Sequence, residues 1–301
     1  MSLLLGVDLG GTKVELIALT SHGRELLRRR RTDTPQGNYP ETIRTIVKLV
    51  EEAEDELAER GTVGIGTPGA VSAATGRLKN SNSVCLNGMP LREDLARALG
   101  RPVRLANDAD CFALSEAVDG AAARAEIVFG VILGTGVGGG IVVRGRLLNG
   151  ANAIAGEWGH NPLPWPQGVE RPGPPCYCGR SGCIETFLSG PGLARDHERR
   201  TGESLDARTI AERAELGYST CRGSMALYED RLARALAHVI NIVDPHVIVL
   251  GGGLSNCTRL YANVPRLWGR YVFSDRVDTK LVPPRYGDSS GVRGAAWLWK
   301  R

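Results

Sequence analysis

No stretch of the 301-residue sequence approaches the roughly 20 consecutive apolar residues that a membrane-spanning helix requires. The opening MSLLLGVDLGG has no basic flank and runs into glycines too soon for a secretory signal. The protein is therefore expected in the cytoplasm, with no membrane partner. Charge of one sign is also scarce. A net charge of +4 falls short of the clustered basic face that a nucleic-acid partner would need. The one basic run, Arg28 to Arg31, reads as a solvated strand. No linker, low-complexity tract or appended module interrupts the chain. The Gly-x4-Gly-Lys-Ser/Thr spacing of a P-loop is missing.

Glycine, by contrast, is abundant, with 39 residues, and much of it falls in short runs where backbone can approach a ligand. The apolar run Leu3 to Val7 ends at Asp8-Leu9-Gly10-Gly11-Thr12-Lys13, and a second strand-like run, Val14 to Leu19, follows at once. That order of strand, tight glycine turn and strand predicts a β-hairpin. Ile127 to Leu133, Gly134-Thr135-Gly136 and Ile141 to Val143 repeat it about 125 residues later. The repeat points to a duplicated architecture, one hairpin per lobe facing a shared cleft. Other expected elements are a helix over 42–60, strands over 25–32, 62–66 and 103–106, and helices over 91–99 and 109–118. Tyr228 to Val243 has helical periodicity, Val247 to Leu250 reads as a buried strand entering Gly251-Gly252-Gly253, and a short apolar helix closes the chain at about 291–299.

Three groups of residues carry candidate chemistry. Backbone N–H groups in the glycine turns can hold phosphate; singly each turn could be a mere hairpin, but two in matching context with a third cluster at 251–253 favour a nucleoside triphosphate. Neither turn fits a dinucleotide fingerprint, since Gly136-Val137-Gly138 leads into a strand pattern and not a helix. Asp8 could hold Mg²⁺ or simply cap its turn, and Lys13 could offset phosphate charge. Of seven cysteines, three lie in Cys176-Tyr-Cys178-Gly-Arg-Ser-Gly-Cys183, with His160 sixteen residues upstream of the first. Such a Cys3His set predicts a closed, structural Zn²⁺ site, with a disulfide plus one free thiol as the alternative. The third group is polar. Asn107-Asp108 precedes a helix, where Asp108 could serve as the N-cap. Glu157 and Glu185 adjoin presumed metal ligands, and Asn80, Ser81 and Asn82 offer turn amides of the kind that read sugar hydroxyls.

Together these motifs resemble the ROK family of bacterial sugar kinases from end to end. Asp8 to Lys13 looks like its first phosphate motif, Gly134 to Gly140 its second, and Gly156-Glu157-Trp158-Gly159-His160 and Cys176 to Glu185 its two zinc signatures. The resemblance implies an α/β fold, the duplicated actin-like (ribonuclease H-like) ATPase fold, with ATP and sugar between two lobes. The first would comprise 1–118, with a helix at about 290–301 packing back on it. The second would comprise 119–289 with the zinc loop. By the same resemblance Asp108 is the catalytic base, and Asn107, Glu157, His160 and Glu185 contact the sugar, to which the turn reading adds Asn82. ATP phosphates fall to Asp8, Gly10, Gly11, Thr12, Lys13, Gly134, Thr135 and Gly136, with Gly251, Gly252 and Gly253 near the adenosine. Zinc falls to His160, Cys176, Cys178 and Cys183.

The cofactors implied are ATP, Mg²⁺ and structural Zn²⁺, and the assembly implied is a homodimer. Within the family, Lys79 to Gly88, Gly156 to Trp165 and Gly287 to Trp297 resemble fructokinases of the manno(fructo)kinase type. The expected reaction is transfer of the ATP γ-phosphoryl group to the 6-hydroxyl of fructose, with mannose and glucose as further acceptors. N-acetylglucosamine kinase and glucokinase are the alternatives within the family. Outside enzymes stand a non-catalytic sugar sensor and a repressor, the latter disfavoured because the phosphate motif begins at Asp8.

Overall fold

The computed structural model describes residues 3–81, 83–287 and 290–300. The described residues form two compact units. One comprises Met1–Ala123, Gly145–Ala155 and Asp288–Arg301; the other comprises Arg124–Arg144 and Gly156–Gly287. Gly145–Ala155, which the sequence reading assigns to the second lobe, groups with the first unit.

In the first unit the apolar runs after residue 2 form β1 (Leu3–Leu9) and β2 (Lys13–Thr20), antiparallel from Leu3↔Thr20 to Leu9↔Val14. β3 (Glu25–Asp33) extends the hairpin. α1 (Tyr39–Leu57) starts where the Asn38 side chain accepts from the Glu41 N–H, and stops at Ala58 in the left-handed region. β4 (Thr62–Thr67) then runs parallel to β1. A two-strand flap, β5 (Ala70–Val71) and β6 (Leu78–Lys79), leads to α2 (Leu91–Leu99). β7 (Val103–Asn107) is parallel to β4 and passes directly into α3 (Asp108–Val118). The sheet order is β3-β2-β1-β4-β7. α1 and α2 contribute Ile46, Val50, Leu91 and Leu95 to a core shared with inward residues of the sheet. α3 and the C-terminal helix α9 (Ser290–Trp297) pack against each other, and α9 lies along β1 and β4.

The second unit repeats the plan. β8 (Ile127–Leu133) and β9 (Val137–Val143) are antiparallel from Ile127↔Val143 to Leu133↔Val137. After the two-residue β10 (Arg146–Leu147), whose stretch belongs to the first unit, come α4 (Ile184–Leu188), α5 (Gly190–Thr201), α6 (Ala207–Glu215) and α7 (Ser219–Val243). β11 (Val247–Gly251) runs parallel to β8, and after α8 (Arg259–Trp268) β12 (Lys280–Val282) runs parallel to β11. Four neighbouring strands therefore read β9-β8-β11-β12, the counterpart of β2-β1-β4-β7.

Several features depart from the sequence expectation, the unexpected α4, α6 and β12 among them. α7 begins at Ser219, nine residues ahead of the expected start, because buried Cys221, Ser224 and Met225 continue the inward face through a stretch of weak helix formers. α5 and α8 were not anticipated: Pro191 lies in the first turn of α5 and Pro265 within α8, so both read as breaks in the sequence.

Candidate active site

The first set of candidate residues gathers at the carboxyl ends of parallel strands, where open α/β sheets place their ligands. Register pairs Asp8 with Gly66 and Thr67 with Asn107, so Asp8 and Asn107-Asp108 arrive at the same edge of one sheet. Asn107 caps α3: its Oδ1 accepts from the Ala109 N–H at 2.8 Å and its Nδ2 donates to the Gly69 carbonyl at 3.0 Å. Asn107 is thus the N-cap residue, while Asp108, itself exposed at the first position of the helix, also accepts from the Ala109 N–H through Oδ1 at 2.8 Å. Burial, followed by the charges of Asp108 and Glu15, pushes the Asp8 carboxyl up to about 7. Two carboxylates this closely coupled share charge poorly, which suits them to a cation or a moving proton.

Beside them the turn Gly10–Lys13 closes with the Gly10 N–H donating to the Lys13 carbonyl at 3.0 Å. Thr34 Oγ1 donates to the Gly10 carbonyl at 2.8 Å, and Gln36 reaches the Gly11 carbonyl. Gly11, Thr12 and Lys13 are exposed. Lys13 Nζ lies 3.1 Å from buried Glu15, which Arg31 also contacts. Asn82 lies outside the described residues.

The second set belongs to the other unit. Gly134 N–H donates to the Gly136 carbonyl at 3.0 Å, closing the second turn. Gly252, at φ +78°, lets the third glycine cluster press on this turn's approach: a Cβ there would sit 2.6 Å from the Leu133 carbonyl oxygen. A cavity of about 910 Å³ opens beside them, lined by Gly134, Thr135, Gly253, Leu254 and the starts of α5 and α6. Gly251 is buried at the end of β11.

Glu157 precedes and His160 ends a short 3-10 turn, Trp158–His160, laid against β9. The Trp158 indole donates to the Gly138 carbonyl at 3.0 Å and meets Phe129 edge-on. Gly156, at φ +91°, allows this approach, since a Cβ would come within 2.4 Å of the Gly139 carbonyl oxygen. The later glycines of the 134–140 run thus serve strand packing, not the turn.

The donor atoms of His160, Cys176, Cys178 and Cys183 all lie within 4.8 Å of one another. Cys176 Sγ is 3.6 Å from His160 Nδ1, and Cys178 Sγ is 3.7 Å from Cys183 Sγ. Ligands about 2.0–2.3 Å from a tetrahedral zinc stand roughly 3.5–3.8 Å apart, so the set fits that ion. All seven cysteines are free thiols, so the disulfide alternative is not realised here. His160 Nε2, the nitrogen turned away from the thiols, meets the Tyr177 hydroxyl at 2.9 Å. Partial desolvation, then the charges of Glu185, Cys176 and Glu157, pushes that phenol up to about 12. Tyr177 was not anticipated; its only sequence signal is its place between two metal-spaced cysteines.

Glu185 reaches the second turn: its Oε2 accepts from the Val137 N–H at 2.9 Å. Glu170 was also missed. It sits in the loop that leads to the cysteines, 5% exposed, and pairs with Arg231 Nε at 2.8 Å and Arg234 Nη1 at 2.9 Å, both guanidinium groups buried on α7. Burial opposes its ionised form, but Arg234 and Arg231 outweigh it and hold its carboxyl below the usual range. Arginines at i and i+3 on an otherwise apolar helix face were the available signal. His197, Glu203 and Cys221 make a further donor group, but Glu203 is paired with Arg213, and Arg200 donates to the Ser224 hydroxyl that meets His197. Two guanidinium groups beside that trio oppose a cation.

Among the described residues no helix is long and apolar enough to cross a membrane. The chain is 42% identical over 298 residues to N-acetyl-D-glucosamine kinase of Pectobacterium carotovorum, covering 97% of each. The ROK hexokinase of Thermus thermophilus superposes with a TM-score of 0.87 at 31% identity, covering 98% of this chain and 97% of that one. A ROK family glucokinase of Streptomyces griseus, in complex with glucose and AMPPNP, gives 0.80 at 26% identity over 99% of both chains. The duplicated α/β plan is therefore the actin-like ATPase fold. With the ROK family matching residues 4–301, the chain belongs to the ROK family and is a sugar kinase.

Proposed function

We propose that the protein phosphorylates N-acetyl-D-glucosamine at its 6-hydroxyl, with ATP as the donor. The observation that carries this reading is the 42% identity, over nearly the whole of both chains, to an N-acetyl-D-glucosamine kinase. The fructose expectation rested on short stretches such as Lys79 to Gly88 and has no counterpart in the relatives named above.

In this reading Asp108 accepts the proton of the sugar hydroxyl as its oxygen attacks the γ-phosphorus in line. Its exposed place in the first turn of α3 supports the role. Asn107, Glu157, His160 and Glu185 hold the sugar. Asp8 serves the Mg²⁺ and phosphate side, and the turns at 10–13 and 134–136 hold phosphate oxygens through backbone N–H groups. Positioning and electrostatics supply most of the rate in such a transfer. The adenosine occupies the cavity beside Thr135 and Gly253, whose apolar side is supplied by Leu254, Ala207 and Ala211. Zinc held by His160, Cys176, Cys178 and Cys183 is structural, because four protein ligands leave it no open position. The protein acts in the cytoplasm.

The test is ADP release with Mg-ATP across N-acetylglucosamine, N-acetylmannosamine, glucose, mannose and fructose. The highest kcat/KM on N-acetylglucosamine is expected. Higher kcat/KM on fructose would restore the fructokinase reading and leave the mechanism intact, whereas no turnover on any sugar would remove the proposed activity. Metal analysis accompanies it, with about one zinc per chain expected.

A further inference from the structure

The second glycine turn is held at both ends by one short segment of the chain. At one end the Gly190 N–H donates to the Gly134 carbonyl at 2.8 Å. At the other, Glu185 Oε2 accepts from the Val137 N–H at 2.9 Å. Glu185 stands in the first turn of α4 and Gly190 just beyond its end, and α4 begins next to Cys183, whose thiol lies 3.6 Å from the His160 carbonyl oxygen. The fit at Glu185 is tight. A Cβ placed on Gly136 would lie 2.6 Å from the same Oε2, closer than real contacts allow, although the Gly136 backbone is not in the left-handed region and alanine could otherwise adopt it. The turn therefore leaves at residue 136 the space that the carboxylate fills.

We propose that Glu185 is a positioning residue for ATP as well as a sugar contact: its carboxylate fixes the Gly136–Val137 peptide so that the second turn is already shaped for phosphate before nucleotide arrives. The proposal rests on the sugar-kinase site assigned above and adds to it. A bond from a backbone N–H to a carboxylate is charge-assisted and stronger than a neutral one, and a turn shaped in advance loses less entropy on binding. One side chain thereby serves both substrates. Its two oxygens divide the work, Oε2 on the turn and the other left for the sugar. Sugar that draws on this carboxylate also orders the turn, so the two substrates are expected to bind with positive coupling.

The experiment measures the affinity of the full-length, sugar-free protein for Mg-AMPPNP by calorimetry, alongside KM for the sugar in the complete assay. Glu185→Ala is expected to weaken Mg-AMPPNP about tenfold, the usual consequence of leaving a turn donor without its charged acceptor. Glu185→Gln keeps an acceptor oxygen at the same reach and is expected to stay within about threefold of wild type, which separates the clamp from simple charge. Gly136→Ala, which drives the carboxylate off Val137, should cost as much as Glu185→Ala. In the Glu185→Ala background it should add less than about twofold, because the atom it strikes is gone.

That non-additivity is the signature a general loss of structure would not produce. Unchanged Mg-AMPPNP affinity in Glu185→Ala, or full additivity with Gly136→Ala, would overturn the clamp. Sugar KM reports separately: a raised KM with unchanged nucleotide affinity keeps the sugar contact and removes the clamp. Weakened nucleotide with unchanged sugar KM keeps the clamp and removes the sugar contact. If Glu185→Ala does not fold, Gly136→Ala in the wild-type and Glu185→Gln backgrounds carries the test: unchanged Mg-AMPPNP affinity in Gly136→Ala overturns the clamp, and about a tenfold loss supports it.

Discussion

The two units share one topology and differ in what stands at its working end. The penultimate residue of the first unit's hairpin strand β1 is Asp8; in β8 of the second unit it is Ile132. Asp8 pairs with Gly66 on its parallel neighbour, and Ile132 pairs with Gly251. The last strand of the first sheet runs into Asn107-Asp108 at a helix start, whereas β12 runs into Pro283-Pro284. The same scaffold thus presents coupled acids in one copy and glycine with apolar surface in the other. The supports differ as well. The first turn is braced by Thr34 and Gln36 from the loop that follows the neighbouring strand β3. The second is braced by Glu185 and Gly190 from a segment tied to the thiol cluster. A duplicated backbone keeps its hydrogen-bond plan, while side chains are free to divide the chemistry. In the proposed reading, proton handling and the metal-side carboxylate would fall to one copy, and the nucleoside pocket and the zinc ligands to the other.

The largest effect should come from erasing the acid that only the first copy has. Asp108→Asn is expected to lower kcat by roughly 10²- to 10⁴-fold, the usual worth of general-base help, while sugar affinity survives. The Asn107 cap stays in place, so the melting temperature should not fall with the rate. Single-turnover kinetics beside a thermal melt would check both. A variant retaining near-normal turnover would break the division of labour at its centre.

Next in size is the brace of the loop that carries the cysteines in the second unit. Glu170→Ala leaves the Arg231 and Arg234 guanidinium groups without the carboxylate they share, although Asp196 and Asp230 still contact them. Removing one member of a buried ion network costs about 3–5 kcal/mol. Chemical denaturation should register that loss, and hydrogen exchange should rise across 161–190 while β1 to β4 keep their protection. Uniform exchange throughout both units would show that the brace is global and not local.

How much of this was legible in the residues alone follows the same division. Both hairpins, the paired turns and the Cys3His spacing depend on local pattern, and all can be read from neighbouring residues. The assignment of the acids to one sheet edge depends on parallel register between β1, β4 and β7, which no local pattern encodes. The Glu185 bond to Val137 spans 48 residues and the Glu170 network spans 61 and 64. Such contacts appear only once the chain has folded. α5 and α8 were hidden for a different reason: proline in a first turn, or tolerated inside a helix, has the same sequence signal as a loop.

A smaller, pH-dependent effect tests the burial of Asp8. Its folded value near 7 stands above the ordinary 3.8, so the folded protein holds a proton that the unfolded chain releases. Stability must then fall as pH rises from about 4 to about 7 and level off above that. Asp8→Asn cannot lose that proton. In Mg²⁺-free buffer its melting temperature should match wild type near pH 4 and exceed it by several degrees at pH 8. Ile132→Asn, at the matching position of the second unit, keeps Asp8, so its shift from wild type should be the same at pH 4 and at pH 8. Parallel melts of wild type and Asp8→Asn across the range would count against a buried carboxyl at Asp8.

The smallest effect sets the two turn supports against each other. Thr34 Oγ1 donates to the Gly10 carbonyl at 2.8 Å from a half-buried position. It is a neutral hydroxyl on a carbonyl, where the second turn has a carboxylate on an N–H. Thr34→Val keeps the branched shape and deletes only the donor. A neutral bond of this kind contributes about 1 kcal/mol net, which corresponds to about a fivefold rise in KM for ATP. The Thr34 N–H still donates to the Thr12 carbonyl at 2.9 Å, so the turn keeps its backbone tie and sugar KM should not move. A loss equal to that of Glu185→Ala would mean that the two turns contribute alike to nucleotide binding. A markedly smaller one would place the tighter grip on ATP in the second copy, where the acids are absent and the turn is pinned by charge.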